Sequence, residues 1–215
     1  MFEFALHDTR VTLSFLDSAG EELGSTTELE HYYRYLASAD GLIFLLDPAA
    51  LDGAAPHLEP GVERSLRNRA DDALMNVTQT IRGLKTEPAK RILGRAGNGK
   101  IETPIAVTVT KLDTLLRATL NGTSLTIEPD HRGFYDASTA DRAHEDVKAL
   151  LHTCGAYQID AQLSQNYRKY RYFGVSALGH SPDDNTVSAR GIQPVRVGDP
   201  LLWLFSEFGL VKKRS

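Results

Sequence analysis

Polar side chains follow three apolar, strand-like runs of the sequence, at the point where each run ends. These polar segments are Asp17-Ser18-Ala19-Gly20-Glu21, Thr110-Lys111-Leu112-Asp113 and Ser176-Ala177-Leu178. In an open α/β sheet, ligands bind just beyond the carboxyl ends of the strands. Each segment taken alone has an ordinary structural explanation, since Asp17 could simply end a strand and Asp113 could cap a helix. Together they define a candidate ligand site at one edge of a sheet.

In this order, the three segments resemble the D-x-x-G, [NT]-K-x-D and S-A-x motifs of the Ras-like GTPases. The resemblance covers about residues 2–180 and is closest to the paired, or double, GTPase proteins of bacteria, which are associated with conflict systems. The runs that resemble that group are Asp17–Glu22, Leu45–Pro48, Ser176–Gly179 and Asp199–Trp203. The resemblance implies a three-layer α/β/α P-loop NTPase fold with a mostly parallel sheet, and a switch between GTP and GDP states.

The resemblance assigns base recognition to the second segment. Asp113 would accept two hydrogen bonds from N–H groups of guanine, and it would reject adenine because a buried carboxylate would then stay unpaired. The stem of Lys111 would lie along the plane of the base. Thr110 occupies the place of the commoner Asn.

The third segment would complete the contact with the base. The backbone N–H of Ala177 would donate to the guanine carbonyl, while Ser176 would brace the loop that continues into Leu178. The resemblance therefore places residues from two strand ends around one guanine ring.

The first segment would contact the phosphates. Asp17 would hold Mg²⁺ through water, and the N–H of Gly20 would touch the γ-phosphate. Glu21 occupies the position at which many GTPases carry a water-orienting Gln. A carboxylate there could orient water but would also repel phosphate. The sequence is therefore compatible with either slow or fast GTP hydrolysis.

A complete GTPase also needs a P-loop, G-x-x-x-x-G-K-[ST], between a strand and a helix, and a switch-I Thr that ligates Mg²⁺. Both would precede a predicted hairpin at residues 2–16, and only Met1 stands before it. We expect a truncated domain whose GTP binding is impaired when the chain is alone. A partner chain could instead supply the missing strand, or the two central strands could close on each other.

One segment imitates a P-loop. Gly94–Ile101 fits G-x-x-x-x-G-K but has Ile101 in place of Ser or Thr, and it follows a predicted helix and precedes a predicted strand. This context is the reverse of the one required, so we interpret the segment as a basic loop.

Composition and charge limit the classes of partner and of cellular location that we expect for this chain. The chain has 215 residues and a net charge of −4. This acidic balance argues against a nucleic-acid partner, although Tyr167–Tyr172 interleaves aromatic and basic residues. A lone cysteine, Cys154, excludes an internal disulfide framework. Met1–Phe4 lacks the pattern of a signal peptide, and no apolar run approaches the ~20 residues of a membrane span. We expect a cytoplasmic protein that binds guanine nucleotide and a protein partner or an upstream domain.

The elements that must position these segments follow from hydrophobic periodicity. Continuous apolar runs at 41–46 and 104–110 indicate strands buried on both faces of a parallel sheet. Helix-spaced apolar residues indicate helices at 28–38, 62–85, 140–153 and 157–166. A further strand is expected at 170–175, a mobile loop at 178–198, a last helix capped by Asp199 and opened by Pro200, and a solvated tail at Lys212–Arg214. We assign the whole chain, 1–215, to one domain, with the motif-bearing core at 2–180 and a loop and helix at 181–215.

Two functional hypotheses remain open on the sequence. One is a GTPase domain that hydrolyses GTP when complete. The other is a pseudo-GTPase that keeps the fold as an interaction or scaffold module without nucleotide turnover.

Overall fold

The computed structural model describes residues 2–6, 9–15, 38–62, 78, 99–115, 117–129, 133–180 and 191–214. The strands are β1 Phe2–Leu6, β2 Thr9–Leu13, β3 Leu42–Leu46, β4 Ile105–Val109, β5 Phe134–Asp136, β6 Tyr170–Gly174 and β7 Lys212–Arg214. The α-helices are α1 Arg117–Leu120, α2 Ala137–Thr153, α3 Tyr157–Asn166 and α4 Asp199–Glu207. Short 3₁₀ helices span Pro48–Ala50, Asp52–His57, Leu112–Thr114 and Ser124–Thr126. Strands alternate with helices along much of the chain, so the predicted α/β class is confirmed.

A three-stranded parallel sheet in the order β3-β4-β6 forms the centre of the described structure. All five residues of β4 are buried, as the apolar run predicted. Leu46, Val109 and Gly174 are aligned in register at the carboxyl ends of the three strands. The segments that follow these strands therefore emerge at one edge of the sheet.

Helices cover both faces of this sheet. On one face, Val107 joins a core cluster that includes Val147 of α2 and Ile159 of α3. On the other face, Ala106 packs in a second cluster that includes Trp203 of α4. Alternate residues of a strand point to opposite faces, so one apolar strand fills two cores.

The predicted hairpin is present, since β1 and β2 pair antiparallel and form a sheet of their own. Its second strand begins at Thr9 and ends at Leu13, and the predicted extension toward Leu16 is not strand at residues 14–15. The predicted solvated tail is exposed at all three residues, and it also forms β7, which pairs parallel with β5. The guanidinium of Arg214 lies 5.1 Å from the centre of the Phe134 ring, an attractive cation–π contact.

The prediction that β3 is buried on both faces is wrong. Ile43 is 40% exposed and Leu45 is 64% exposed, whereas Leu46 is buried. Within the described residues β3 pairs only with β4, and α4 approaches the chain at Gly41, just before β3 begins. There a Cβ added to Gly41 would lie 2.9 Å from the side chain of Leu204. An apolar run shows that a strand can be buried, but its neighbours decide how far it is covered.

The predicted capping role of Asp199 is also wrong. Gly198 is the N-cap of α4, and Asp199 is the first residue of the helix, followed by Pro200 as predicted. The Asp199 carboxylate lies 2.6 Å from the guanidinium of Arg196, and both side chains are 1% exposed. A carboxylate without a partner would be costly at such a depth, and the arginine provides the opposite charge.

Several expectations lie outside the described residues, namely the helix at 28–38 except Ser38, the helix at 62–85 except Val62 and Thr78, and the loop at 181–190. Among the helices that are described, none is both long and apolar enough to cross a membrane. Cys154 is buried, and burial raises the pKa of its thiol to about 11, so it is protonated at neutral pH.

Candidate functional site

The carboxyl end of β4 is tied to the end of β3. The backbone N–H of Thr110 donates to the Leu46 carbonyl at 2.8 Å, and the Thr110 hydroxyl donates to the same oxygen at 3.1 Å. Lys111 then adopts the left-handed backbone conformation, with φ 50° and ψ 42°. Residues other than Gly adopt this region infrequently. The chain reverses there and enters the 3₁₀ helix that contains Asp113.

Asp113 meets the segment that follows β6. The Ser176 hydroxyl donates a hydrogen bond to the Asp113 carboxylate, and the Gly179 N–H donates to the Ser176 oxygen at 2.7 Å. The Leu112 N–H also donates to the Val175 carbonyl at 3.1 Å. Ser176 is buried, while Asp113 is only partly covered. The two predicted base-recognition segments are therefore joined side chain to side chain.

Residues 191–195 return across the third segment and hold it in place. Ser176 and Val195 exchange two backbone hydrogen bonds, of 3.1 and 2.8 Å, and the Gln193 N–H donates to the Leu178 carbonyl at 3.0 Å. Gly179 has a φ of 81°, and a Cβ there would lie 2.0 Å from the Gln193 carbonyl oxygen. Only glycine fits this crossing, which gives a physical reason for the Gly in the run 176–179.

Arg196 anchors the returning segment. Its backbone is also left-handed, with a φ of 56°, and its N–H donates to the Glu128 carboxylate at 2.6 Å. Its guanidinium donates to the Ile127 carbonyl at 2.9 Å, in addition to the ion pair with Asp199. This buried arginine joins α4 to the turn at 124–128, and it thereby anchors the chain directly after Val195.

A charged pair links the ends of β3 and β4. Lys111 Nζ lies 2.7 Å from Asp47 Oδ2, and the other oxygen of Asp47 accepts the Ala49 N–H at 2.9 Å. Asp47 thus caps the 3₁₀ helix Pro48–Ala50 while it neutralises the lysine. The ammonium group is directed toward this carboxylate.

The structure brings together Thr110, Lys111, Asp113 and the segment 176–178. The other predicted site residues, Asp17, Gly20 and Glu21, lie outside the described residues. Sequence reasoning assigned no chemical role to Asp47, Arg196 or Asp199. Asp47 could have been found, because it directly follows a strand as the other site segments do, whereas no local pattern marks Arg196.

The P-loop-like segment ends at the opposite edge of the sheet. Lys100 Nζ donates to the Ser164 carbonyl at 2.6 Å, and the Ile101 N–H donates to the Asn166 carbonyl at 2.7 Å. Both residues precede β4 and pair with the end of α3, so they lie at the amino ends of the strands. The part of this segment that is described is therefore far from the site along the strand direction.

Two cavities, of about 420 and 470 Å³, lie beside α2 and the turn at 123–127, and no residue of the strand-end site lines either one. Asp146 is the carboxylate that both cavities share, and it already accepts two hydrogen bonds from Ser124. The candidate site therefore rests on the polar contacts at the strand ends and not on either cavity. No group of three or more His, Cys, Asp and Glu side chains is arranged to hold a metal ion in the described part of the chain.

The chain is similar to a protein of Mycolicibacterium smegmatis named "Putative ESX-1 scaffolding and assembly protein SaeC". The two are 27% identical over 229 residues, which covers 98% of this chain and 55% of that protein. The chain thus spans about half the length of this relative. No family model matches the chain, and no solved structure matches it.

Proposed function

We propose that this chain is a GTPase-like domain of P-loop NTPase architecture, and that the strand-end site binds the guanine base of GTP or GDP. The observation that carries the proposal is the contact between Asp113 and Ser176. It joins two motifs that lie 63 positions apart in the sequence. Thr110 and Lys111 lie on the same edge, in the order that the resemblance to Ras-like GTPases requires.

The chemistry of recognition follows from the hydrogen-bonding capacity of each group. An ionised carboxylate only accepts hydrogen bonds, so Asp113 selects a base edge that presents two N–H donors. Guanine has such an edge, at the ring N–H and the exocyclic amine. Ser176 holds the carboxylate in one orientation, which lowers the entropy cost of aligning it with the base.

The described residues form one side of a nucleotide site and no closed pocket. They supply the base contacts, and the ammonium group of Lys111 is already paired with Asp47. Asp17 and Gly20, proposed for Mg²⁺ and the γ-phosphate, and Glu21, proposed to orient water, lie outside the described residues. We expect guanine-selective binding by the chain, and GTP/GDP switching that depends on Asp17, Gly20 and Glu21.

Asp113→Asn tests base recognition directly. An Asn side chain offers one donor and one acceptor, which matches the ring N–H and the adjacent carbonyl of xanthine. We expect the affinity ratio of GDP to xanthosine diphosphate to fall by on the order of tenfold, as for loss of one charge-assisted hydrogen bond. The measurement is displacement of a fluorescent GDP analogue by each nucleotide.

Asp40→Asn is the matched control, because it removes an exposed carboxylate at the other end of β3. Its affinity ratio should equal that of the wild-type chain. An unchanged ratio in Asp113→Asn, or equal affinity of the wild-type chain for GDP and ADP, would show that Asp113 does not recognise the base.

A second function, that of an interaction module without turnover, is favoured by the name of the M. smegmatis relative. That name describes scaffolding and assembly, and the alignment covers 98% of this chain and 55% of the relative. Phosphate release from GTP separates the two functions. Guanine binding without measurable release would identify the module.

A further inference from the structure

The ion pair between Asp47 and Lys111 is held more firmly than an ordinary surface pair. Asp47 has only 18% of its side chain exposed, and the 3₁₀ helix that it caps fixes its orientation. Surface pairs contribute little because water and salt screen them and because two long side chains must be ordered. Here one partner is short, preoriented and largely withdrawn from water.

The ion pair holds Lys111, the residue that leads directly into the base-recognition segment around Asp113. Lys111 has the left-handed backbone that leads into Asp113, and 62% of its side chain is exposed. A lysine stem with that exposure would sample several rotamers if its ammonium had no partner. Asp47 restricts these rotamers by holding Nζ at the end of β3. The four methylene groups are then kept beside the base-recognition segment.

We propose that Asp47 is a positioning residue of the guanine-nucleotide site, which fixes the stem of Lys111 as one wall for the base. This inference rests on the proposed function. It also specifies the ligand further, since Asp47 neutralises the lysine charge. Lys111 therefore contributes apolar contact with the base and ribose, and phosphate attraction must come from residues outside the described site.

The first experiment needs no nucleotide. The rate of lysine acylation by an amine-reactive ester is followed at Lys111 by peptide mass spectrometry in the full chain. Asp47→Asn should raise this rate several-fold, because the ammonium loses its carboxylate partner. Asp40→Asn, at the other end of the same strand, should leave it unchanged. Equal rates in all three proteins would overturn the proposed pair.

The second experiment tests the link to the ligand through a double-mutant cycle. Affinity for a fluorescent GDP analogue is measured in the wild-type chain, Asp47→Asn, Lys111→Met and the double variant. We expect Asp47→Asn to weaken binding by about three- to tenfold, which corresponds to a coupling of about 0.7–1.4 kcal/mol between contacting residues. Lys111→Met keeps an apolar stem, and adding Asp47→Asn to it should cause no further loss.

The outcomes separate the two proposals. Binding that Asp113→Asn weakens and Asp47→Asn does not would overturn the positioning role and leave the proposed function standing. Equal losses from Asp47→Asn with and without Lys111→Met would also overturn it, since Asp47 would then act independently of the lysine. A wild-type chain that shows no guanine preference would overturn both.

Discussion

At the scale of single residues, the polar groups of the candidate site are linked to one another by hydrogen bonds. The Ser176 hydroxyl donates to Asp113 and accepts from the Gly179 N–H. Because Ser176 is buried, neither partner could replace it with water without local rearrangement. Base recognition and local stability therefore depend on the same hydroxyl group.

Ser176→Ala should weaken both properties. It removes two hydrogen bonds at a buried position, so we expect the free energy of unfolding to fall by on the order of 1–3 kcal/mol. Affinity for GDP should fall as well, because Asp113 loses the group that orients it. Urea unfolding and displacement of a fluorescent GDP analogue measure the two effects.

Ser138→Ala is the comparison. The Ser138 hydroxyl also donates to a carboxylate, that of Asp136, at 2.8 Å, but this pair is exposed. Its loss should change the free energy of unfolding by less than about 0.5 kcal/mol and leave nucleotide binding intact. Similar losses in the two variants would contradict the role given to the buried hydroxyl.

At the scale of elements, the outer edge of β6 shows how a parallel sheet is protected where it ends. The Tyr172 N–H points away from β4 and donates to Nδ1 of His144 on α2 at 3.0 Å. The His144 and Tyr172 rings also stack, with centres 5.2 Å apart. An exposed strand edge is a template for unwanted pairing, and this helix side chain occupies part of it.

The contact requires a neutral imidazole, since Nδ1 must accept the hydrogen bond. Burial lowers the pKa of His144, and the positive charges of Arg171 and Lys148 add to this, while Glu145 and Asp160 oppose it. His144 is therefore protonated less readily in the folded protein than in the unfolded chain. The contribution of His144 to stability is fully present above the unfolded pKa of 6.5 and is lost as the pH falls below it.

His144→Gln should reduce this pH dependence. The amide oxygen can still accept from Tyr172, and the side chain does not titrate. Urea unfolding between pH 5 and pH 8 should show a steeper loss of stability on acidification in the wild-type chain than in the variant. His152→Gln, which removes an exposed histidine of the same helix, should follow the wild-type curve. A His144→Gln curve parallel to that of the wild type would contradict the prediction.

At the scale of the whole molecule, the two faces of the central sheet are covered unequally at β3. Leu151 of α2 is fully buried in the core on one face, while Leu45 of β3 is 64% exposed on the other. The same substitution at the two positions should therefore have very different costs. Leu151→Ala should lower the free energy of unfolding by about 2–5 kcal/mol, and Leu45→Ala by less than about 0.5 kcal/mol.

Denaturant unfolding of the two leucine variants measures this difference. A large loss in Leu45→Ala would mean that part of the chain outside the described residues covers this side chain. A small loss in Leu151→Ala would contradict the assignment of α2 to the main core. The pair of variants therefore compares a buried core position of α2 with an exposed position of β3.

Much of the central sheet and part of the site could be predicted from the sequence. The apolar run at 104–110 gave β4, and the order of the three polar segments placed Thr110, Asp113 and Ser176 at strand ends. Parallel pairing then brings the carboxyl ends of the strands to the same edge of the sheet. The errors arose where the outcome depends on neighbouring elements or on the exact start of a helix, as for the exposed face of β3 and the N-cap of α4.

By itself, the sequence determined which segments can be strands and helices and which polar residues follow them, because hydrophobic periodicity and turn chemistry are local properties. Only the tertiary structure decided that Asp47 pairs with Lys111, that Arg196 holds Asp199, and that one face of β3 is exposed. Asp47 and Lys111 are 64 positions apart. Contacts of this kind depend on which elements become neighbours, and burial depends on what covers them, so neither is encoded in any single stretch of chain.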